Sequence, residues 1–197
     1  MNTLPAILVN YRLNNTTVFR ASWTNSIARP NYYDLVPYRQ IFQEDNEIEI
    51  GNPDLNPTTS MNIDLMAEKY FRSVGIISGG LFYKDINDFI VGLTRFDYEF
   101  EGHTYDVFVQ PINGGSATIF GAEISFQRQF DFLPGAWKGI GLYLNYTWAN
   151  SSVDDFLVPG REGEDLSLPG SAEHTGNGSL SYEYKGFNTV SYTHLTL

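Results

Sequence analysis

The stretch Thr118-Ile119-Phe120-Gly121-Ala122-Glu123-Ile124-Ser125-Phe126-Gln127-Arg128 decides the fold. Phe120, Ala122, Ile124 and Phe126 fall on one side, and Gly121, Glu123, Ser125 and Gln127 on the other. A period of two residues belongs to a strand with one apolar and one polar face. The same alternation recurs at 140–149, where Ile140, Leu142, Leu144, Tyr146 and Trp148 oppose Gly141, Tyr143, Asn145, Thr147 and Ala149. At 61–68 Met61, Ile63, Leu65 and Ala67 oppose Asn62, Asp64, Met66 and Glu68, and at 17–24 Phe19, Ala21 and Trp23 oppose Arg20, Ser22 and Thr24. Leu180, Tyr182 and Tyr184 alternate with Ser179, Ser181 and Glu183. Helical periodicity is weak throughout.

These patterns predict an all-β chain of about eight strands, at 6–13, 17–27, 58–71, 76–91, 117–129, 139–150, 175–184 and 187–193. Most exceed the five or six residues common in soluble sheets and suit a tilted membrane-crossing strand of about nine to eleven. The connections sort by parity. Those after the first, third, fifth and seventh strands are short (14–16, 72–75, 130–138 and 185–186), whereas 28–57, 92–116 and 151–174 are long. An antiparallel up-and-down meander puts odd and even connections at opposite ends. Outer-membrane barrels have that asymmetry, with short periplasmic turns and long external loops.

Composition narrows the function classes. The chain has 197 residues, 42% apolar, 15% aromatic and 18% charged, which is too apolar for a disordered segment. A formal net charge of −11 argues against nucleic acid as a partner. The absence of cysteine excludes disulfide scaffolds, thiol catalysis and cysteine-held metals. No apolar run reaches the ~18 residues of a membrane helix, and residues 1–5 do not read as a signal peptide. The three long connections hold 16 of the 23 acidic residues and four of the 12 basic ones, so the whole negative excess lies on one rim. Acidic loops keep proteins soluble, but they also suit sharing divalent cations with lipopolysaccharide phosphates or binding a cationic ligand.

Short motifs carry a family resemblance. Ala28-Arg29-Pro30-Asn31-Tyr32-Tyr33-Asp34-Leu35-Val36-Pro37 is followed by Gly51-Asn52-Pro53-Asp54-Leu55-Asn56-Pro57 and then by Leu81-Phe82-Tyr83-Lys84-Asp85-Ile86-Asn87-Asp88-Phe89-Ile90. Next come Asn113-Gly114-Gly115, Phe120-Gly121-Ala122-Glu123-Ile124, Leu133-Pro134-Gly135, Asn145-Tyr146-Thr147 and Leu168-Pro169-Gly170-Ser171, then His174, Asn177 and Tyr182-Glu183. In this order, over about residues 4–188, the sequence resembles the later barrel strands of TonB-dependent outer-membrane receptors. The resemblance implies a partial wall of a transmembrane barrel of about 22 strands, spanning 1–197 as one domain, in the outer membrane of a Gram-negative bacterium. It implies TonB-energised uptake of a scarce bulky solute of the siderophore, vitamin, glycan or peptide class. The expected partners are outer-membrane lipid and lipopolysaccharide, the imported solute, and the TonB complex, engaged through a plug domain outside this segment. The tail Val190-Ser191-Tyr192-Thr193-His194-Leu195-Thr196-Leu197 departs from the pattern. It looks like translated sequencing-adapter read-through, so residues after about 189 are expected not to be native, and Met1 reads as an internal start. The rival from another class is a soluble all-β carbohydrate-binding module, which needs two apolar faces closed on a dry core.

The motifs read as structural. Pro53 and Pro57 deny backbone donors and favour extended neighbours, so the loop re-enters the wall without a helix. Gly121 and Gly141, inward beside Glu123 and Tyr143, make room for a plug or for bulky neighbours. Tyr11, Trp23, Tyr70, Phe71, Trp148, Tyr182 and Tyr184, near strand ends, suit interfacial girdles.

No enzyme chemistry is expected. His103, His174 and His194 lie in separate segments without ligand spacing, so no metal site is assigned. Asp64, Glu68 and Glu123 have the look of acid/base carboxylates, but lumenal polar residues of a barrel give the same pattern. Asp154-Asp155 and Glu162-Gly163-Glu164-Asp165 offer oxygens for calcium in a spacing that fits no known loop. Gly114-Gly115 lacks the strand–helix setting of a phosphate cradle, and the Asn145 and Asn177 glycosylation patterns read as chance. No catalytic, cofactor-binding or metal residue is assigned and no cofactor is expected. Ligand contacts are placed in the three long loops by position only.

A partial barrel keeps two unpaired edges and an apolar outer face. Expressed alone in water, the chain is expected to form inclusion bodies. A monodisperse monomer melting cooperatively without detergent, read by light scattering and circular dichroism, would contradict the membrane assignment.

Overall fold

The computed structural model describes residues 3–161, 164 and 166–197, with the backbone alone at Asp155. In chain order the elements are β1 (Ala6–Asn14), β2 (Thr17–Ala28), a one-turn helix α1 (Tyr32–Leu35), β3 (Arg39–Phe42), β4 (Glu47–Ile50), β5 (Thr58–Tyr70) and β6 (Gly75–Asn87). β7 (Ile90–Phe100), β8 (His103–Asn113), β9 (Gly115–Gln129), a 3-10 turn (Gly135–Gly139), β10 (Ile140–Phe156), β11 (His174–Tyr184) and β12 (Phe187–Thr196) follow. Eight strands form one antiparallel wall in the order β1-β2-β5-β6-β9-β10-β11-β12, each joined to its nearest predecessor in the wall. This is the expected up-and-down meander and partial barrel.

The register shows why the alternation matters. Val9, Ala21, Leu65, Leu81, Ala122 and Trp148 stand opposite one another across six strands. The adjacent row reads Asn10, Arg20, Met66, Gly80, Glu123, Thr147 and Thr175. Because strand side chains alternate, the first row builds an apolar face and the second a polar one. No second sheet covers the apolar face among the described residues. Leu65 and Ile124 are 53% and 51% exposed. A soluble sandwich would bury that face, so the carbohydrate-module reading loses its dry core.

On the polar face, bulky neighbours fill the space that glycine leaves. A Cβ at Gly121 would meet the Phe82 ring and the Trp148 carbonyl, and one at Gly141 would meet the Ser181 and Gln129 side chains. The girdle assignment needs one correction. Tyr11, Trp23, Phe71, Trp148, Tyr182 and Tyr184 share the apolar side, whereas Tyr70 belongs to the polar side and its hydroxyl donates to Glu68 at 2.8 Å. In β12 the alternation reverses: Val190 and Tyr192 join the polar side and Ser191 and Thr193 the apolar side.

The long connections differ most from expectation. The strand foreseen at 76–91 ends at Asn87, and Asp88 turns the chain with φ +57°. Asp tolerates that left-handed backbone better than most residues. The chain then leaves the wall as β7 and β8, which pair antiparallel around the two-residue turn Glu101-Gly102. β3 and β4 form a second hairpin, and β4 lies parallel to β8 through Glu47↔Val107, Ile48↔Phe108 and Glu49↔Val109. Two expected loops are thus a four-stranded sheet, ordered β3-β4-β8-β7. β10 also runs six residues beyond its expected end, to Phe156. The buried hydrophobic clusters sit in this cap. Ile48, Tyr105 and Phe108 form one; Phe89, Ala117 and Val153, with Leu166 and Leu168 leaning on them, form another at the junction with the wall.

Two motifs hold the cap to the wall. Asn113 donates to the carbonyls of Asn56 at 3.0 Å and Asp88 at 2.9 Å, and its Oδ1 accepts from the Asn56 N–H at 2.9 Å. Asn52 donates to the Pro111 carbonyl at 3.1 Å, and Thr58 to that of Asp88 at 2.9 Å. Gly51 lies so close to the Val36 carbonyl that any Cβ there would overlap it. Pro53 and Pro57 have no N–H, so side-chain amides stitch a loop that backbone donors cannot. No helix forms over 51–57.

A midplane arginine on the lipid face of such a wall costs about 2–4 kcal/mol, while lumenal substitutions cost little. In the full-length protein that carries this segment, Leu65→Arg and Ile124→Arg should sharply reduce folded, heat-modifiable protein in the membrane fraction. Asp64→Asn and Glu123→Gln should fold near normally; equal insertion of all four would disprove the register. Asn113→Ala removes three hydrogen bonds of about 0.5–1.5 kcal/mol each. It should leave the wall intact but speed protease cleavage within 92–116 several-fold on intact cells. Cleavage confined to 72–75 or 130–138 would invert the orientation.

Candidate functional site

The cap borders an open cavity of about 750 Å³ between α1, the β3–β4 hairpin and the start of β7. Its walls carry Tyr32, Tyr33 and Tyr38, with Asp34, Gln40 and Glu49. The local sequence places the tyrosines. The Asn31 side chain accepts from the Tyr33 N–H at 3.3 Å and caps α1, and Pro37 follows the turn. Asn52 N–H donates to the Asp34 carbonyl at 2.6 Å and ties the turn to the Gly51 corner. The rings stay open to solvent; Tyr33 is 81% exposed. Tyrosine offers a flat apolar face and a hydroxyl at little conformational cost, which suits capture of a bulky solute.

No cation lines this cavity among the described residues. The nearby Arg39 is engaged elsewhere, donating to Glu101 at 2.8 Å with its guanidinium carbon 4.8 Å from the centre of the Phe100 ring. In the third long loop Arg161 chelates Glu164 at 2.7–3.1 Å, and those hydrogen bonds hold the Glu164 carboxyl below its ordinary pKa. The cavity thus faces solvent as an aromatic, acidic surface.

The structure keeps the other singled-out residues apart. Asp64 accepts from the Ser22 hydroxyl at 2.8 Å. Glu68 takes both Arg20 Nε and a terminal guanidinium nitrogen, at 3.0 and 3.2 Å, as well as Tyr70. Glu123 lies over Gly80. They are three separate polar positions on the inner wall. His103 bonds Asn46 at 3.0 Å and packs edge-on to Tyr105, whereas His174 bonds the Tyr146 hydroxyl at 2.8 Å, and His194 lies in β12. No group of three or more metal-ligating side chains occurs among the described residues. Of the calcium candidates, Glu162, Gly163, Asp165 and the Asp155 side chain lie outside the described residues. Gly114 packs against the Phe89 ring, and its N–H donates to the Phe89 carbonyl at 2.7 Å.

Sequence reasoning placed ligand contacts in the loops but did not identify the tyrosine cavity. Residues 32–38 and 90–111 line one cavity because β4 pairs with β8, some 60 residues away, and because Asn52 and Asn113 bond across the two connections. A local signal did exist: Phe96, Tyr98 and Phe100 alternate with Asp97 and Glu99 before Glu101-Gly102, which is a hairpin pattern.

The family model for the TonB dependent receptor-like beta-barrel matches residues 1–196. No curated protein matches the chain. Among solved structures, the siderophore receptor PirA from Pseudomonas aeruginosa aligns with a TM-score of 0.67 at 17% identity, over 99% of this chain and 30% of that one. PirA from Acinetobacter baumannii gives 0.64 at 20%, over 97% and 28%, and the copper transporter OprC 0.65 at 17%, over 95% and 25%. The chain therefore spans less than a third of the structures it matches. With its alternating wall, its elaborated rim and a family match over nearly every residue, the chain belongs to the TonB-dependent receptor-like β-barrel family.

Proposed function

We propose that this chain forms about a third of the wall and part of the external cap of an outer-membrane receptor in a Gram-negative bacterium. In this reading 1–197 is one partial barrel domain and the protein is a transporter, not an enzyme. Loops capture a scarce bulky solute, and TonB-coupled movement of a plug outside this segment then admits it. The observation that carries the reading is the division of apolar surface. The wall's apolar face is bare, while the buried clusters gather in the cap at one rim, beside the tyrosine cavity. A lipid-embedded wall and a water-facing capture surface require that division.

Among the candidate solutes we favour a metal chelate, since solved structures similar to this chain include siderophore receptors. Charge refines the choice. Asp34 and Glu49 in the cavity, without a lining cation, oppose a polyanion and admit a neutral or cationic complex.

The test is equilibrium binding to the purified full-length receptor, followed by fluorescence quenching. A neutral ferric trihydroxamate is expected to bind at least about tenfold more tightly than a trianionic ferric tricatecholate, a difference near 1.4 kcal/mol. Tyr33→Ala and Tyr38→Ala should each weaken the neutral chelate several-fold, consistent with about 0.5–1.5 kcal/mol per aromatic contact. Tighter binding of the tricatecholate, or no effect of either tyrosine, would refute the cavity assignment.

A further inference from the structure

Arg128 occupies an unusual place. It continues the row of Phe120, Ala122, Ile124 and Phe126 on the apolar face of β9, near the short-turn rim, and stands opposite Gly75 and Leu142. Its guanidinium carbon lies 4.4 Å from the centre of the Phe71 ring and 4.6 Å from that of Phe132. Phe71 in turn meets Phe126 edge-on at 6.2 Å, and Phe132 meets Phe130 at 5.8 Å. Gly75 helps shape this clamp, because a Cβ there would press on the Phe71 ring at 3.0 Å.

Arg20, Arg39 and Arg161 each hold a carboxylate. The Arg128 side chain makes no hydrogen bond or ion pair among the described residues, and its buried Nε has no partner. The guanidinium packs over two ring faces, and none of its nitrogens is bonded to a carboxylate among the described residues. A cation on a lipid face is costly unless it reaches the interface and finds an anion. Guanidinium matches phosphate oxygens in shape and charge, and ring stacking pre-orients it. Lys69 supplies a second cation on the same face, in the next row, opposite Ile77, which stands opposite Phe126. At about 4.8 Å per strand spacing, its side chain can reach a headgroup held by Arg128. The field agrees. Residues 12–16, 69–75, 128–139 and 183–187 carry Arg12, Lys69, Arg72, Arg128, Lys138 and Lys185 against Asp131 and Glu183, while the opposite rim is strongly acidic.

We propose that Arg128, clamped between Phe71 and Phe132, binds the phosphate of a glycerophospholipid in the leaflet around the short-turn rim, with Lys69 as the second cation. The inference rests on the reading of the wall as lipid-embedded.

The test is native mass spectrometry of the detergent-extracted full-length receptor loaded with phosphatidylglycerol. Heat-modifiability in the outer membrane reports the wall separately, so its loss in the unaltered protein would refute the wall reading rather than this site. Retained phospholipid is expected to fall about tenfold in Arg128→Gln, and several-fold in Lys69→Gln, as loss of charge-assisted hydrogen bonds implies. Excess inorganic phosphate should not displace the lipid. Retention by Arg128→Gln within twofold of the unaltered protein, or displacement by phosphate alone, would overturn the proposal. Should Arg128→Gln fail to fold, Phe132→Ala keeps the strand and the cation while opening the clamp. Retention should then fall several-fold, and unchanged retention would overturn the proposal.

Discussion

The row of Val9, Ala21, Leu65, Leu81, Ala122 and Trp148 states the constraint on which the other features depend: a single sheet whose apolar face none of the described residues covers with a second layer. Each strand satisfies the backbone of its neighbour, and a slip of one residue would carry leucines into the lumen and Glu123 into lipid. The register is therefore held by burial in a solvent that the chain does not supply. This accounts for the many exposed large side chains on the wall and for the small share of the chain that forms a conventional core.

That core lies in the cap, and its position follows from where the wall strands end. Asp88 breaks β6 with a left-handed backbone, Asn113 bonds back to Asp88 and Asn56, and Asn52 holds Pro111. These bonds fasten two distant connections to one rim. The proline-rich corner can make no ladder of its own, so asparagine side chains replace it. The tyrosines of α1 are displayed over the cavity because the corner beneath them is fixed.

Charge follows the same geometry. The inner-face carboxylates lie apart, Glu68 bonded by Arg20 and Tyr70 and Asp64 by Ser22. The unbalanced negative charge collects in the long connections. At the opposite rim, Arg128 is stacked on aromatic rings instead of paired with a carboxylate. The two ends of the wall thus present opposite signs, which favours different neighbours at each.

Most of the wall was legible in local pattern, Tyr70 and β12 excepted. Phe120 to Gln127, Met61 to Glu68 and Ile140 to Ala149 alternate so regularly that strand identity, facing and loop parity follow from local pattern and chain order. The paired motifs at 51–57 and 113–115 were legible as structural, though not as partners. Tertiary structure alone decided the cap, the tyrosine cavity and the Arg128 clamp. β4 has four residues, too few to announce a strand, and its parallel pairing with β8 joins positions about 60 apart. Phe71 and Phe132 likewise reach Arg128 from turns at the ends of different strands. Local periodicity records which face a residue takes. Which distant residue it meets depends on how the backbone closes its remaining hydrogen bonds, and that is settled only when the whole sheet has formed.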